Sequence, residues 1–197
     1  MSEIIIKGLS KSYGDNKVID GLTCTFGRGF YLLEGKSGSG KTTLLRLIAG
    51  LEAPDSGLIS PTGGAMLFQE KRLIENRSGL RNITSFFGSS SAREALLLAS
   101  RLGLEADDMK KPVRSLSGGM AQRISVIRLF MRVRRSGDET VLLDEPFTGL
   151  DAETAKKVSG LFAEEFAGKT VIVASHTDGD ILPPLSGKLS LSEPSDV

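Results

Sequence analysis

The sequence predicts an α/β fold around a mostly parallel sheet, and three observations carry that expectation. Short apolar runs alternate with stretches at helical spacing; 30–34, 140–143 and 170–174 read as buried strands with helices between them. A glycine-rich loop joins the first run to a helix. The three runs end in distinctive residues, Glu34-Gly35, Asp144-Glu145 and Ser175-His176, and ligands of open parallel sheets gather outside the carboxyl ends of the strands.

Taken in order, Ile4 to Lys7 and Gly21 to Phe26 look like strands separated by the turn residues Gly14-Asp15-Asn16. Phe30 to Glu34 ends at Gly35, and Thr43 to Ala49 is helical, stopped by Gly50. Ala65 to Phe68 is a short apolar run ending at Gln69. Gly88 to Ser91 is a polar loop before an Ala/Leu-rich helix over 92–102, and a second helix spans about 120–135. After the strand at 140–143, a helix over 152–166 is closed by Gly168 and leads to the strand at 170–174.

Composition narrows the function. The 197 residues amount to about one domain, and 40% hydrophobic with 25% charged residues excludes wholesale disorder. Lys+Arg 25 against Asp+Glu 24 leaves a formal charge of +1, so no nucleic-acid partner held by bulk charge is expected. One cysteine, Cys24, excludes a disulfide framework, and one histidine removes most metal constellations. No apolar run approaches the roughly 18 residues of a membrane span, and the acidic start is unlike a signal peptide. The expectation is a cytoplasmic protein that reaches a membrane only through partner subunits.

Residues 35–43, GKSGSGKTT, fit G-x4-G-K-[ST]. The glycines let successive backbone N–H groups point into one cavity, and the following helix adds its N-terminal dipole; both suit phosphate. Lys41 would reach the β- and γ-phosphates and Thr42 would offer a hydroxyl to Mg²⁺. Residues 140–146, TVLLDEP, would deliver Asp144 to the Mg²⁺ shell and Glu145 to orient or deprotonate the attacking water. Residues 116–123, LSGGMAQR, form a second glycine-bearing helix start capped by Ser117. One phosphate cradle is already supplied, so the second raises the question of whose nucleotide it holds.

LSGGMAQR resembles the signature sequence of ATP-binding cassette (ABC) ATPases, and it stands between GKSGSGKTT and TVLLDEP in that family's order. Tyr13 resembles the aromatic that stacks on adenine, Gln69 the glutamine that joins the Mg²⁺ and water shell, Asp151 the aspartate of the loop after the Asp-Glu pair, and His176 the histidine that contacts the γ-phosphate. The resemblance runs from about Ile4 to His176 and implies a P-loop NTPase with a mostly parallel central sheet, an N-terminal antiparallel β subdomain and a small helical subdomain inserted over 84–117 between core segments 1–83 and 118–197. It implies ATP and Mg²⁺ as cofactors, with Tyr13, Ser37, Gly38, Gly40, Lys41, Thr42, Thr43 and Asp151 among the nucleotide-binding residues, and with Ser117, Gly118 and Gly119 of a second copy facing the 35–43 loop. Glu145, His176, Lys41 and Gln69 would act in hydrolysis, and Thr42, Gln69 and Asp144 around the metal.

The resemblance also implies partners: a second ABC ATPase subunit, identical or closely related, and transmembrane permease subunits that seat a helix near Arg72 to Ile83. Leu73, Ile74, Phe86 and Phe87 would serve either as the apolar floor for that helix or as core. The alternative is a soluble, non-transport ABC ATPase acting on ribosomes or nucleic acid, but such proteins usually carry two cassettes or a coiled coil. The chain departs from the family at Met120, at Glu75 and in a few additional positions near 132–139, none needed for ATP chemistry.

Overall fold

Alternation of apolar and polar residues makes the first two segments a hairpin. The structure, a computed structural model, describes residues 3–176 and 181–191. β1 (Ile4–Tyr13) and β2 (Asn16–Phe26) pair antiparallel, with Tyr13 opposite Asn16. The two-residue loop between them needs a positive φ, which Gly14 supplies at 59°. Both strands run longer than the sequence pattern suggests, because their outer halves are polar and lose the alternation. β4 (Ser56–Ser60) pairs with the other edge of β1, giving the order β2-β1-β4.

The second sheet carries the buried runs. β3 (Gly29–Glu34), β6 (Thr140–Asp144) and β7 (Thr170–Ala174) are covered on both faces and rich in Val, Ile and Leu, as parallel strands must be. With β5 (Ala65–Leu67) and β8 (Leu185–Ser190) the order is β5-β6-β7-β3-β8. The β6/β7, β7/β3 and β3/β8 pairs are parallel. α1 (Lys41–Ile48) buries Leu44, Leu45, Leu47 and Ile48 in a core shared with Ile4, Ile6 and Leu9 of the first sheet and Leu33, Leu142 and Ile172 of the second. Each such side chain contributes about 1.5–3 kcal/mol by leaving water.

The chain divides into two compact units. One comprises Met1–Met66, Asp138–Glu145 and Phe166–Val197; the other comprises Leu67–Gly137 and Pro146–Glu165. The second unit holds α2 (Gly79–Phe87), α3 (Ala92–Arg101), α4 (Gly118–Ser136) and α5 (Ala152–Glu165). It thus contains the 84–117 stretch together with two helices outside it. Phe130 of α4 meets Phe162 of α5 edge to face at 5.8 Å. Gly137, in the left-handed region at φ 68°, ends α4. Two arginines of the 132–139 stretch are tied inside the unit: Arg134 pairs with Glu165 and Glu94, and Arg135 with Glu94. No helix among the described residues is long and apolar enough to cross a membrane.

Candidate functional site

Parallel register sets the site. Leu33 and Asp144 both stand opposite Ala174, so β6, β7 and β3, adjacent in the sheet, end at one level. The residues that follow these three ends are Glu145, Ser175-His176 and the Gly35–Gly40 loop, all within the first unit.

The loop is shaped by its glycines. Gly35, Gly38 and Gly40 lie at φ 150°, 85° and 90°, a region that L side chains rarely adopt. A Cβ on Gly40 would lie 2.9 Å from Val18 Cγ1 of β2, and one on Gly35 would meet Ser39 Oγ at 2.4 Å. Gly40 caps α1 without a side-chain hydrogen bond, and no acidic residue stands in the first turn. The helix therefore leaves its first N–H groups to an anion. Lys41 is buried and donates from Nζ to Gly35 O at 2.7 Å and Lys36 O at 2.9 Å. Ser39 Oγ is a buried side-chain atom with no hydrogen-bond partner.

Thr42 Oγ1 donates to Asp144 Oδ1 at 3.2 Å. Burial pushes the Asp144 carboxyl above its ordinary range, while the Thr42 hydrogen bond and the charges of Arg46 and Lys41 pull it back. One carboxylate beside one hydroxyl is a donor set for a hard divalent cation that completes its shell with phosphate and water. No cluster of three or more His, Cys, Asp or Glu side chains able to hold a metal unaided occurs among the described residues.

Glu145 adopts φ 48°, which a non-glycine residue reaches only under constraint; its N–H is fixed on Ala174 O at 2.8 Å. Its side chain is 15% exposed and lies 3.5 Å from His176 Nε2, which is 54% exposed. Burial raises the Glu145 carboxyl above its usual range, and His176 opposes that rise.

Tyr13, at the end of β1, is 47% exposed, and its hydroxyl donates to Glu52. Its pKa is raised by burial and by Glu52, and the Thr43 hydroxyl acts the other way, which places the phenol beside the start of α1.

The remaining candidates lie in the second unit. Ser117 Oγ accepts from Met120 N at 3.2 Å and caps α4. Ser117 and Gly118 are exposed. A Cβ on Gly119 would lie 2.5 Å from Gly149 O, so glycine is required there. Asp151 caps its own helix, accepting from Thr154 N at 2.9 Å and from Thr154 Oγ1 at 2.8 Å. Gln69 is exposed. Ile74 and Phe86 are surface residues, Phe86 at 62% exposure with Arg128 stacked 4.8 Å from its ring, whereas Leu73 and Phe87 are half-buried. Sequence reasoning did not single out Ser39, Glu52 or Gln122, whose buried Nε2 donates to Pro146 O at 2.9 Å. No motif or spacing marks the hydroxyl that Glu52 binds, the carbonyl that Gln122 binds or the lack of a partner at Ser39.

Residues 20–148 match the family described as ABC transporter. The aliphatic sulfonates import ATP-binding protein SsuB 1 of Nocardia farcinica is 40% identical over 82% of this chain and 65% of its own length. The SsuB 3 protein of Paraburkholderia xenovorans is 38% identical over 91% of this chain and 69% of its own length. The SsuB 3 protein of Rhodococcus jostii, 38% identical, is covered over only 60% of its length. The chain thus spans about two thirds of such relatives. Among solved structures, the dimeric MJ0796, a bacterial ABC transporter cassette, superposes with a TM-score of 0.82 at 24% identity, covering 95% of this chain and 94% of that one. This last likeness is one of fold.

Proposed function

The chain belongs to the ABC transporter family, and on that premise we propose that it binds and hydrolyses ATP as one half of a head-to-tail pair that drives transport through separate membrane subunits. The observation that carries the reading is the meeting, at one edge of the parallel sheet, of the 35–43 loop with Asp144, Glu145 and His176.

In this reading the open N–H groups of α1 receive the phosphates, and Lys41 exchanges its two backbone carbonyls for β- and γ-phosphate oxygens, where it neutralises charge that develops as the terminal phosphoryl group departs. Thr42, Asp144 and Gln69 would hold Mg²⁺, and the ion when bound would supply charge neutralisation to the phosphates. Glu145 accepts a proton from the attacking water at its carboxylate, a task for which a buried carboxyl with a raised pKa is suited. His176, 3.5 Å from that carboxylate, orients the water and the phosphate. Tyr13 offers its exposed ring to the base.

Ser117 and Gly118 lie open at the start of α4, as a surface that receives a second copy's nucleotide must. Exposed Ile74 and Phe86, with half-buried Leu73 and Phe87, form the floor for a helix of the membrane subunit, which holds the chain at the inner face of the membrane. The relatives named for aliphatic sulfonates import favour import, with an aliphatic sulfonate as the first cargo to test.

Replacing Glu145 by Gln tests the centre of the reading. Turnover is expected to fall by about 10²–10⁴ while ATP affinity stays close to that of the parent chain. Near-normal turnover would remove Glu145 from its role, and absence of ATP binding by the parent chain would overturn the whole reading.

A further inference from the structure

We propose that Glu52 and Asp55 are positioning residues that set the Tyr13 ring for the nucleotide base, a role that rests on the reading of Tyr13 as the base platform. An exposed aromatic at the end of a strand would ordinarily turn about two side-chain torsions and lose that freedom on stacking. Here the cost is met before the base arrives.

The hold has two points. At the tip of the ring, the Tyr13 hydroxyl donates to Glu52, whose other oxygen accepts from Arg46 Nη1 at 3.4 Å. At the base of the ring, Asp55 accepts from Ser12 N at 2.7 Å and from Lys11 Nζ at 3.0 Å, and Asp55 N donates to Ser10 O at 3.0 Å. Lys11, fixed in this way, lies 5.6 Å from the centre of the Tyr13 ring. Both carboxylates belong to the stretch just beyond α1, the helix whose opposite end forms the phosphate cradle. Arg46 lies in α1 itself, so the ring is referenced to the same helix that receives the phosphates.

A strap that merely stabilised the end of β1 would show the same bonds, so the test must separate base recognition from folding. Inorganic tripolyphosphate has no base and engages only the cradle. Calorimetric dissociation constants for ATP and for tripolyphosphate, both without Mg²⁺, are measured on the whole chain and on Glu52→Ala, Glu52→Gln, Tyr13→Phe, Tyr13→Ala and the Tyr13→Phe/Glu52→Ala double variant. Glu52→Ala is expected to weaken ATP about three- to tenfold, the scale of one hydrogen bond, with tripolyphosphate changed less than about twofold. Glu52→Gln, which keeps an acceptor, restores most of the loss. Tyr13→Phe gives a similar loss, and adding Glu52→Ala to it costs nothing further, because the two act through one bond.

Equal weakening of ATP and tripolyphosphate by Glu52→Ala, or no effect on ATP, overturns the inference. Tyr13→Ala distinguishes its failure from that of the underlying reading. If Tyr13→Ala lowers ATP affinity selectively while Glu52→Ala does not, only the positioning role falls. If Tyr13→Ala is also without selective effect, the assignment of the ring to the base falls with it.

Discussion

Glu145 combines two local costs. Its backbone sits at φ 48°, and its carboxyl is buried enough to be raised above the usual range despite His176. A carboxyl raised in the folded state contributes stability that is fully present below its unfolded pKa and lost as pH rises through the folded value. The ionised side chain is therefore a burden at neutral pH, and nucleotide-free Glu145→Gln is expected to melt above the parent chain at pH 7. The difference should shrink as the pH falls through the carboxylate range. A melting temperature that is unchanged or lowered at pH 7 would contradict this. Lys41, Thr42, Asp144 and Glu145 were legible in the sequence as candidates because they stand in contiguous strings whose spacing is fixed by backbone geometry. Glu52 and Ser39 were not, since what distinguishes them is a hydroxyl 39 positions away in one case and the lack of any partner in the other.

Among the elements, α2 escaped the sequence reading. It has nine residues, begins at Gly79 and ends on two phenylalanines, so neither propensity nor length announces it. Its cap does: Ser78 Oγ accepts from Arg81 N at 3.2 Å. The helix is anchored by Asn82, fully buried, whose Oδ1 accepts from Ile74 N at 2.7 Å and whose Nδ2 donates to Ile74 O, Arg77 O and Ser78 O. One amide thus adds four bonds to the backbone bonds that the 74–78 loop already makes through Ile74 O, Glu75 O, Arg77 O and Ser78 O. Asn82→Ala is expected to cost about 2–4 kcal/mol in denaturant unfolding, because Ile74 N loses its acceptor, three carbonyls each lose one of their donors and a fully buried side chain leaves a cavity. A loss below about 1 kcal/mol would mean that the loop holds itself. β4 and β8 were also unread, being short and largely polar, with only Ile59 buried in β4 and only alternate residues turned inward in β8. β3, β6 and β7 were read closely, since strands buried on both faces have no room for polar residues before their ends.

For the molecule as a whole, the proposed chemistry needs two chains. Glu145→Gln, expected to retain nucleotide, should shift from monomer to dimer in sizing and light-scattering experiments when saturated with Mg²⁺-free ATP, and Ser117→Arg in the same background should prevent the shift by filling the open helix start. A Glu145→Gln chain that stays monomeric at every concentration would sink the paired arrangement. The order of the strands has a separate outcome during synthesis. β3, which launches the phosphate loop, is flanked by β7 and β8, whose residues 170–174 and 185–190 leave the ribosome more than a hundred residues later. Until then the loop hangs from a strand without neighbours. A nascent chain halted near residue 150 should retain no nucleotide, and competence should arise late and abruptly, as the last strands slide in beside the first.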